Sequence, residues 1–343
     1  MTKDGQDLLV GIDLGTSQSS LCTSTGERHV VDSYVGWPVD AIARKIVKKR
    51  VLFGQDAVEN RTMLELHRPL EGGLLKEGAQ RDRQAIRELL SHLMDLAGVS
   101  AARKEGGKVR AVIGVPAEAL RVNKQHVRDA MRGFVDGLII VSEPFAVAYG
   151  LDALLHAIVV DVGAGTTDFC VMKGRYPTDE DQRTLTNAGD WVDAQLMKLI
   201  EEKNPGISVS IHTVRQWKEQ SSFMGKPGEP VVVSIPIAGK PSKIDITEEM
   251  RQACEGLGPP VAETMIDLIA AVESEYQERV RKNVILAGGS SAISGFGQVL
   301  EKALGEIGGG KVTVVKDPVF VGSEGGLSLA KDAPKSDWEK LPA

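Results

Sequence analysis

Two stretches of this chain follow one grammar, and that repetition limits the fold more than any other feature. The first is Leu8-Leu-Val-Gly-Ile-Asp-Leu-Gly-Thr-Ser-Gln-Ser-Ser-Leu-Cys22, the second Ala157-Ile-Val-Val-Asp-Val-Gly-Ala-Gly-Thr-Thr-Asp-Phe-Cys170. Each opens as an apolar run rich in β-branched residues, which reads as a buried strand. Each strand ends on an acid, Asp13 or Asp161. A small-residue turn follows, at Gly15 in the first copy and at Gly163, Ala164 and Gly165 in the second. Hydroxyls stand beside it (Thr16 and Ser17, then Thr166 and Thr167), and a second strand returns. Glycine lets backbone N–H groups approach an anion closely, and a carboxylate at a strand end suits a hydrated Mg²⁺. One such hairpin alone is as readily a plain turn. The pair predicts two related halves that face one another across a nucleotide.

The length of 343 residues gives room for about two domains and a substantial core. A net charge of −6 argues against nucleic acid as a partner. The short basic clusters, Arg44–Lys45 and Lys48-Lys-Arg50, read as a solvated face. Cys22, Cys170 and Cys254 form neither a zinc spacing nor a disulfide framework, which favours a reducing, cytoplasmic setting. The six histidines show no metal-ligand spacing. The polar start, Met1-Thr-Lys-Asp-Gly-Gln-Asp, has no signal-peptide core, and no apolar run is long enough for membrane insertion.

Taken in order, the first hairpin leads to a third strand at 29–31, completing a meander. Residues 33–78 break into short apolar pieces between prolines and glycines and read as a small inserted subdomain. A helix is predicted over 83–97, ended by Gly98, then a strand at 108–116, a helix over 119–134 and a strand at 138–141. Ser142-Glu-Pro144 and a helix over 145–155 close the first half. This β-α-β-α order implies a largely parallel sheet. After the second hairpin come a helix following Gly189 and Asp190 and a second inserted segment at 207–243. That segment carries a helix at 213–223 and two strands. Thr247 is placed as a helix N-cap. A strand from Asn283 ends in Gly288, Gly289 and Ser290, and a helix around 296–304, a strand at 312–315 and a helix at 324–331 follow. The tail reads as loosely held.

Glu143 sits at the carboxyl end of a strand, where open α/β sheets keep their ligands. It suits the orientation or deprotonation of a water attacking a γ-phosphate, with helix capping as the competing role. The Gly288-Gly289-Ser290 turn offers bare backbone to a base or ribose, or is an ordinary turn. Lys218 and Glu219 on their own read as a solvated helix face. Gly305-Glu-Ile-Gly-Gly-Gly-Lys311 starts like a P-loop, but Val312 replaces the required hydroxyl and the flanking elements come in the wrong order, so it is a connecting loop.

The paired hairpins, Ser142-Glu-Pro144 and the Ala287-Gly-Gly turn, in this order, resemble the superfamily of actin, sugar-kinase and heat-shock chaperone ATPases. Bacterial actins, and among them the magnetosome filament proteins, fit best. The stretches that carry this are Leu9-Val-Gly-Ile-Asp-Leu-Gly-Thr-Ser17, Val141-Ser-Glu-Pro-Phe-Ala-Val-Ala-Tyr-Gly-Leu-Asp152 and Lys316-Asp-Pro-Val-Phe320. The resemblance implies an α/β, actin-like (ribonuclease H-like) duplicated fold with two lobes and four subdomains around a nucleotide cleft. The first lobe core would comprise 1–32, 79–145 and 320–343, with 33–78 inserted. The second would comprise 146–183 and 247–319, with 184–246 inserted.

It further implies ATP or ADP with Mg²⁺ as cofactors, Asp13 and Asp161 bracketing the hydrated metal, and Glu143 with Asp161 handling the lytic water. Gly15, Thr16 and Ser17, and Gly163, Ala164, Gly165 and Thr166, would cradle phosphates. Lys218, Glu219, Gly288, Gly289 and Ser290 would hold the nucleoside, with Gly189 and Asp190 nearby. Polymerisation with copies of itself and magnetosome adaptor proteins as partners are also implied. A small-metabolite kinase on the same scaffold is the alternative, weakened by the lack of an acceptor-binding cluster near the hairpins. A chaperone ATPase is disfavoured by the absence of room for a peptide-binding domain.

Overall fold

The computed structural model describes residues 7–76, 80–237 and 240–340. Most of the polar start, the predicted 78/79 border and the last three residues lie outside them. The chain forms two compact units, Met1–Leu154 with Asp317–Ala343, and Leu155–Lys316.

In the first unit a six-stranded sheet has the order Glu339–Lys340, Gly137–Ser142, Val109–Val115, Leu8–Leu14, Gln18–Thr23, Arg28–Asp32. The first hairpin and third strand are an antiparallel meander, and Val109–Val115 and Gly137–Ser142 add in parallel to Leu8–Leu14. Parallel strands need cover on both faces, which is why their apolar runs are nearly continuous. Helix Gln80–Leu96 covers one face with Ile86, Leu89, Leu90 and Leu93 at helical spacing. Gly98, left-handed at φ 76°, follows its end as predicted. Helix Val321–Asp332 covers the other face by direct backbone contact. A methyl group on Gly11 would come within 2.0 Å of the Ser323 carbonyl oxygen, and one on Gly325 within 1.8 Å of that of Ala146. The first insert forms a three-stranded sheet, ordered Leu52–Phe53, Val35–Pro38, Leu64–His67, over its own small core of Tyr34, Leu52, Ala57 and Leu64.

The second unit repeats the plan. Its sheet runs Gln182–Leu185, Thr167–Lys173, Leu155–Val162, Val284–Ala287, Val312–Val314, an antiparallel meander followed by two parallel strands. Asp161 pairs in register with Asp168 just as Asp13 pairs with Ser20, so the two hairpins are built to the same length. Ile158, Val160, Phe169, Leu196, Leu286 and Phe296 join one continuous core that also takes in Val231, Val233 and Ile235 of the inserted segment.

Several expectations change. The break between units falls after Leu154 rather than after residue 145, because helix Glu143–Gly150 packs on Val321–Asp332 through Gly150 and Gly325. The return to the first unit comes at Asp317 rather than at residue 320, and Asp317 pairs with Arg28 at 2.7 Å. The single helix expected over 119–134 is two, Ala117–Val122 and Lys124–Met131. They part at Asn123, whose side chain accepts from the Leu75 N–H at 3.0 Å. The helix expected over 145–155 ends at Gly150, and strand Leu155–Val162 has already begun. Thr247 is inside its helix rather than capping it: its hydroxyl accepts from the Val231 N–H at 2.7 Å, while Asp245 takes the Thr247 N–H at 2.9 Å. The tail is tied down, since Glu339–Lys340 pairs with Gly137–Ser142 and Trp338 packs over Gly137.

Candidate functional site

In the second unit, Asp161 stands near the end of its strand with 9% of its surface exposed. The turn after it closes with the Gly163 N–H on the Thr166 carbonyl at 2.9 Å. The outward carbonyls of this turn dock the next helix. Gly163 O accepts from the Gly189 N–H at 3.1 Å and from Ser290 Oγ at 2.9 Å, and Ala164 O accepts from the Asp190 N–H at 2.7 Å. The start of helix Gly189–Lys203 is thereby fixed against the glycine turn, with the positive end of its dipole beside it.

Lys218, on helix Ile211–Ser221, belongs to the same assembly. It is 7% exposed, donates to the Gly189 carbonyl at 2.8 Å and pairs with the fully buried Asp193 at 2.8 Å. Arg215, one turn earlier, binds Asp193 at 3.0 Å and Asp190 at 2.8 Å. The solvated-face reading of Lys218 is therefore wrong, while the neighbouring Glu219 is exposed. Gly288, at φ 80°, allows the last contact: a methyl group there would lie 2.4 Å from Asp161 Oδ1. Gly289 faces open space. The Thr166 hydroxyl turns inward, donating to Asp168 at 2.7 Å, and Thr184 donates to the other oxygen of Asp168 at 2.6 Å. Thr166 can thus serve an anion through its backbone, not through this hydroxyl.

In the first unit, Asp13 pairs with Gly114 of the neighbouring strand, and Gly114 pairs in turn with Val141. Asp13 and Glu143, the first residue of its helix, so reach one edge of the sheet, at the carboxyl ends of its parallel strands. Helix Val321–Asp332 encloses Asp13: a methyl group on Gly322 would lie 2.6 Å from Asp13 Oδ2. Burial raises the Asp13 carboxyl to about 7. Gly15 is required by its tight turn, since a methyl group there would meet the Gln18 carbonyl oxygen at 2.5 Å. Thr16 is buried and Ser17 half-buried beside it.

The residues suit Mg²⁺ held through water. Among the described residues no cluster of three or more acids, histidines or cysteines could cage a metal. Mg²⁺ keeps much of its water and takes one or two carboxylates with substrate phosphates. Asp13 and Asp161 each stand at a strand end against a glycine, Gly322 and Gly288, whose missing side chain leaves the carboxylate its place.

Four polar residues that support this geometry escaped the sequence reading: Asp168, Asp193, Arg215 and Ser33, the last of which donates to the Gly15 carbonyl at 2.7 Å. The signal for Asp168 was present, because it follows the glycine turn directly on the returning strand.

Comparison with known proteins agrees with the duplicated architecture. The family model for MreB/Mbl protein matches residues 7–337. The actin-like protein MamK of Paramagnetospirillum magneticum is 40% identical over 334 residues, 97% of this chain and 95% of that protein. A solved MamK double helical filament superposes with a TM-score of 0.92 at 40% identity, covering 96% of this chain and all of the other. A non-polymerising MamK mutant bound to AMPPNP gives 0.73 at the same identity, over 95% of this chain and 99% of the other. The fold is actin-like.

Proposed function

The chain belongs to the MreB/Mbl protein family, and we propose that it is an actin-like ATPase that binds Mg-ATP and polymerises into a cytoskeletal filament. The observation that carries this is the match, at 40% identity and a TM-score of 0.92, to a MamK filament over nearly the whole chain. Nucleotide binding is supported by the AMPPNP-bound relative and by the convergence in one unit of Asp161, the glycine turn, Gly189, Lys218 and Ser290. The metabolite-kinase alternative finds no support in these relatives.

In this reading Gly163 shapes the turn from which Ala164, Gly165 and Thr166 receive phosphates through backbone N–H groups, and Gly15, Thr16 and Ser17 form the matching turn of the first unit. Lys218, Glu219, Gly288, Gly289 and Ser290 hold the nucleoside. Asp13 and Asp161 hold hydrated Mg²⁺, which neutralises phosphate charge. Glu143 and Asp161 orient the attacking water and accept its proton, a role worth about 10²–10⁴ in rate. A head-to-tail contact between unlike surfaces generates an open polymer when its rotation does not close. No described helix is long and apolar enough to cross a membrane. We place the filament in the cytoplasm, alongside magnetosome membranes and joined to them by adaptor proteins.

Sedimentation with and without Mg-ATP tests the reading directly. Filaments should pellet with nucleotide, and phosphate release should fall about 10²-fold or more in Asp161→Ala and Glu143→Ala. A wild-type protein that stays monomeric and releases no phosphate under all conditions refutes it.

A further inference from the structure

The carbonyls of the first glycine turn are all taken, and by donors from outside the hairpin. Ser33 Oγ donates to Gly15 O at 2.7 Å, the Ser33 N–H to Ser17 O at 2.7 Å, and Arg68 Nε to Thr16 O at 3.3 Å. In a trans peptide the N–H points opposite to the carbonyl of the preceding residue. Fixing the carbonyls of residues 15, 16 and 17 therefore fixes the directions of the N–H groups of Thr16, Ser17 and Gln18, each opposite to the carbonyl before it. Successive N–H groups aimed together make an anion-binding concavity.

The donors come from two places in the chain that meet here. Ser33 precedes the first strand of the insert's three-stranded sheet, Val35–Pro38, and Arg68 follows its last, Leu64–His67. Both are anchored: Ser33 is fully buried with its hydroxyl 2.9 Å from that of Ser19, and the Arg68 guanidinium lies 5.5 Å from the ring centre of the buried Tyr34.

We propose that Ser33 and Arg68 are positioning residues that aim the phosphate-facing amides of the Gly15-Thr16-Ser17 turn, and that they thereby tie the first insert to the nucleotide. This rests on the ATP reading above and deepens it. A tilt of the insert turns the peptide planes of the phosphate turn, and a bound triphosphate, by reciprocity, favours the insert position that keeps them aligned. Ser33 has no charge, so its effect comes entirely through the backbone. Arg68 adds a cation whose direct attraction for phosphate is screened by salt.

The test is titration of the full chain with Mg-AMPPNP and with adenosine, for wild type, Ser33→Ala, Arg68→Ala and Arg68→Lys, at low and high salt. A melting curve without ligand confirms that each variant is folded. Ser33→Ala and Arg68→Ala should bind AMPPNP about tenfold or more weakly, the worth of one hydrogen bond to a charged group. Adenosine, held by other residues, should bind as in wild type. The Ser33→Ala loss should persist at high salt, and Arg68→Lys should recover part of the Arg68→Ala loss. Folded variants with AMPPNP affinities within about twofold of wild type, or an equal loss for AMPPNP and adenosine, overturn the proposal while leaving ATP binding standing. Failure of the wild type itself to bind AMPPNP overturns both.

Discussion

Gly288→Ala should damage the protein far more than Gly289→Ala, although the two residues are adjacent. Gly288 has φ 80° and ψ 161°, a region essentially reserved for glycine, and forcing alanine into it costs about 1–3 kcal/mol. The new methyl group would sit 2.4 Å from Asp161 Oδ1 and 2.5 Å from the Val162 carbonyl oxygen. Two neighbours must each withdraw by about 1 Å, and overpacking of this kind costs a further 1–3 kcal/mol or so. The sum is about 2–6 kcal/mol. For a unit of roughly 160 residues each kcal/mol lowers the melting temperature by about 2–4 °C. The expected drop is therefore at least about 4 °C, and more than 10 °C at the upper end. At Gly289 nothing lies within 4 Å of the added methyl group, and φ is not positive. That variant should stay within about 0.5 kcal/mol of wild type while weakening nucleotide binding, because its methyl group fills the space assigned to the nucleoside. Circular-dichroism melts without nucleotide, at more than one scan rate, measure both. A Gly288→Ala protein melting within about 1 °C of wild type would show that the reasoning from this contact is mistaken.

Three further outcomes follow from the geometry. Gly325→Ala should lower the urea midpoint by the equivalent of about 3 kcal/mol or more, because its methyl group meets the Ala146 oxygen at 1.8 Å and a whole helix must lift. Asp13 has its carboxyl raised from 3.8 to about 7, so its contribution to stability is full below pH 3.8 and lost as pH rises through 7. Nucleotide-free Asp13→Asn should therefore be more stable than wild type at pH 8, with the gain shrinking towards pH 4, as urea titrations at several pH values would show. Burial pushes up the thiols of Cys22 and Cys170, and that of Cys254 to about 11, so a thiol reagent at pH 8 should find no fast-reacting group until the protein is unfolded.

The duplicated plan could be read from the chain because its signal is local: an apolar run, an acid, a glycine turn and a hydroxyl within a few residues of one another. Asp13 and Asp161 stand at strand ends as that grammar requires. What could not be read depends on partners distant in sequence. Nothing near Lys218 announces burial, since the groups that make burial tolerable, Asp193 and the Gly189 carbonyl, lie on another helix. Thr247 has the composition of a cap, yet a strand N–H from Val231 claims its hydroxyl. Asn123 interrupts a plausible helix because Leu75 needs an acceptor. The charged tail reads as loose until an unpaired sheet edge accepts Glu339–Lys340. Glycines are ambiguous in the same way. Gly322, Gly325 and Gly326 look like weak helix formers, and only the approach of the Asp13 carboxylate to the first and of another backbone to the other two shows why they are there.

The interrupted first unit sets an order of assembly on the ribosome. Leu155–Lys316 is one unbroken segment, so all of its sheet has been synthesised before residue 317 emerges. The earlier segment must meanwhile wait with one face of strand Leu8–Leu14 bare, because the helix that covers it, Val321–Asp332, is made only after the second unit. Domains fold as units during synthesis. Here the later-made half completes first, and the half started earlier closes last, when its glycine-faced helix arrives to seal strand Leu8–Leu14.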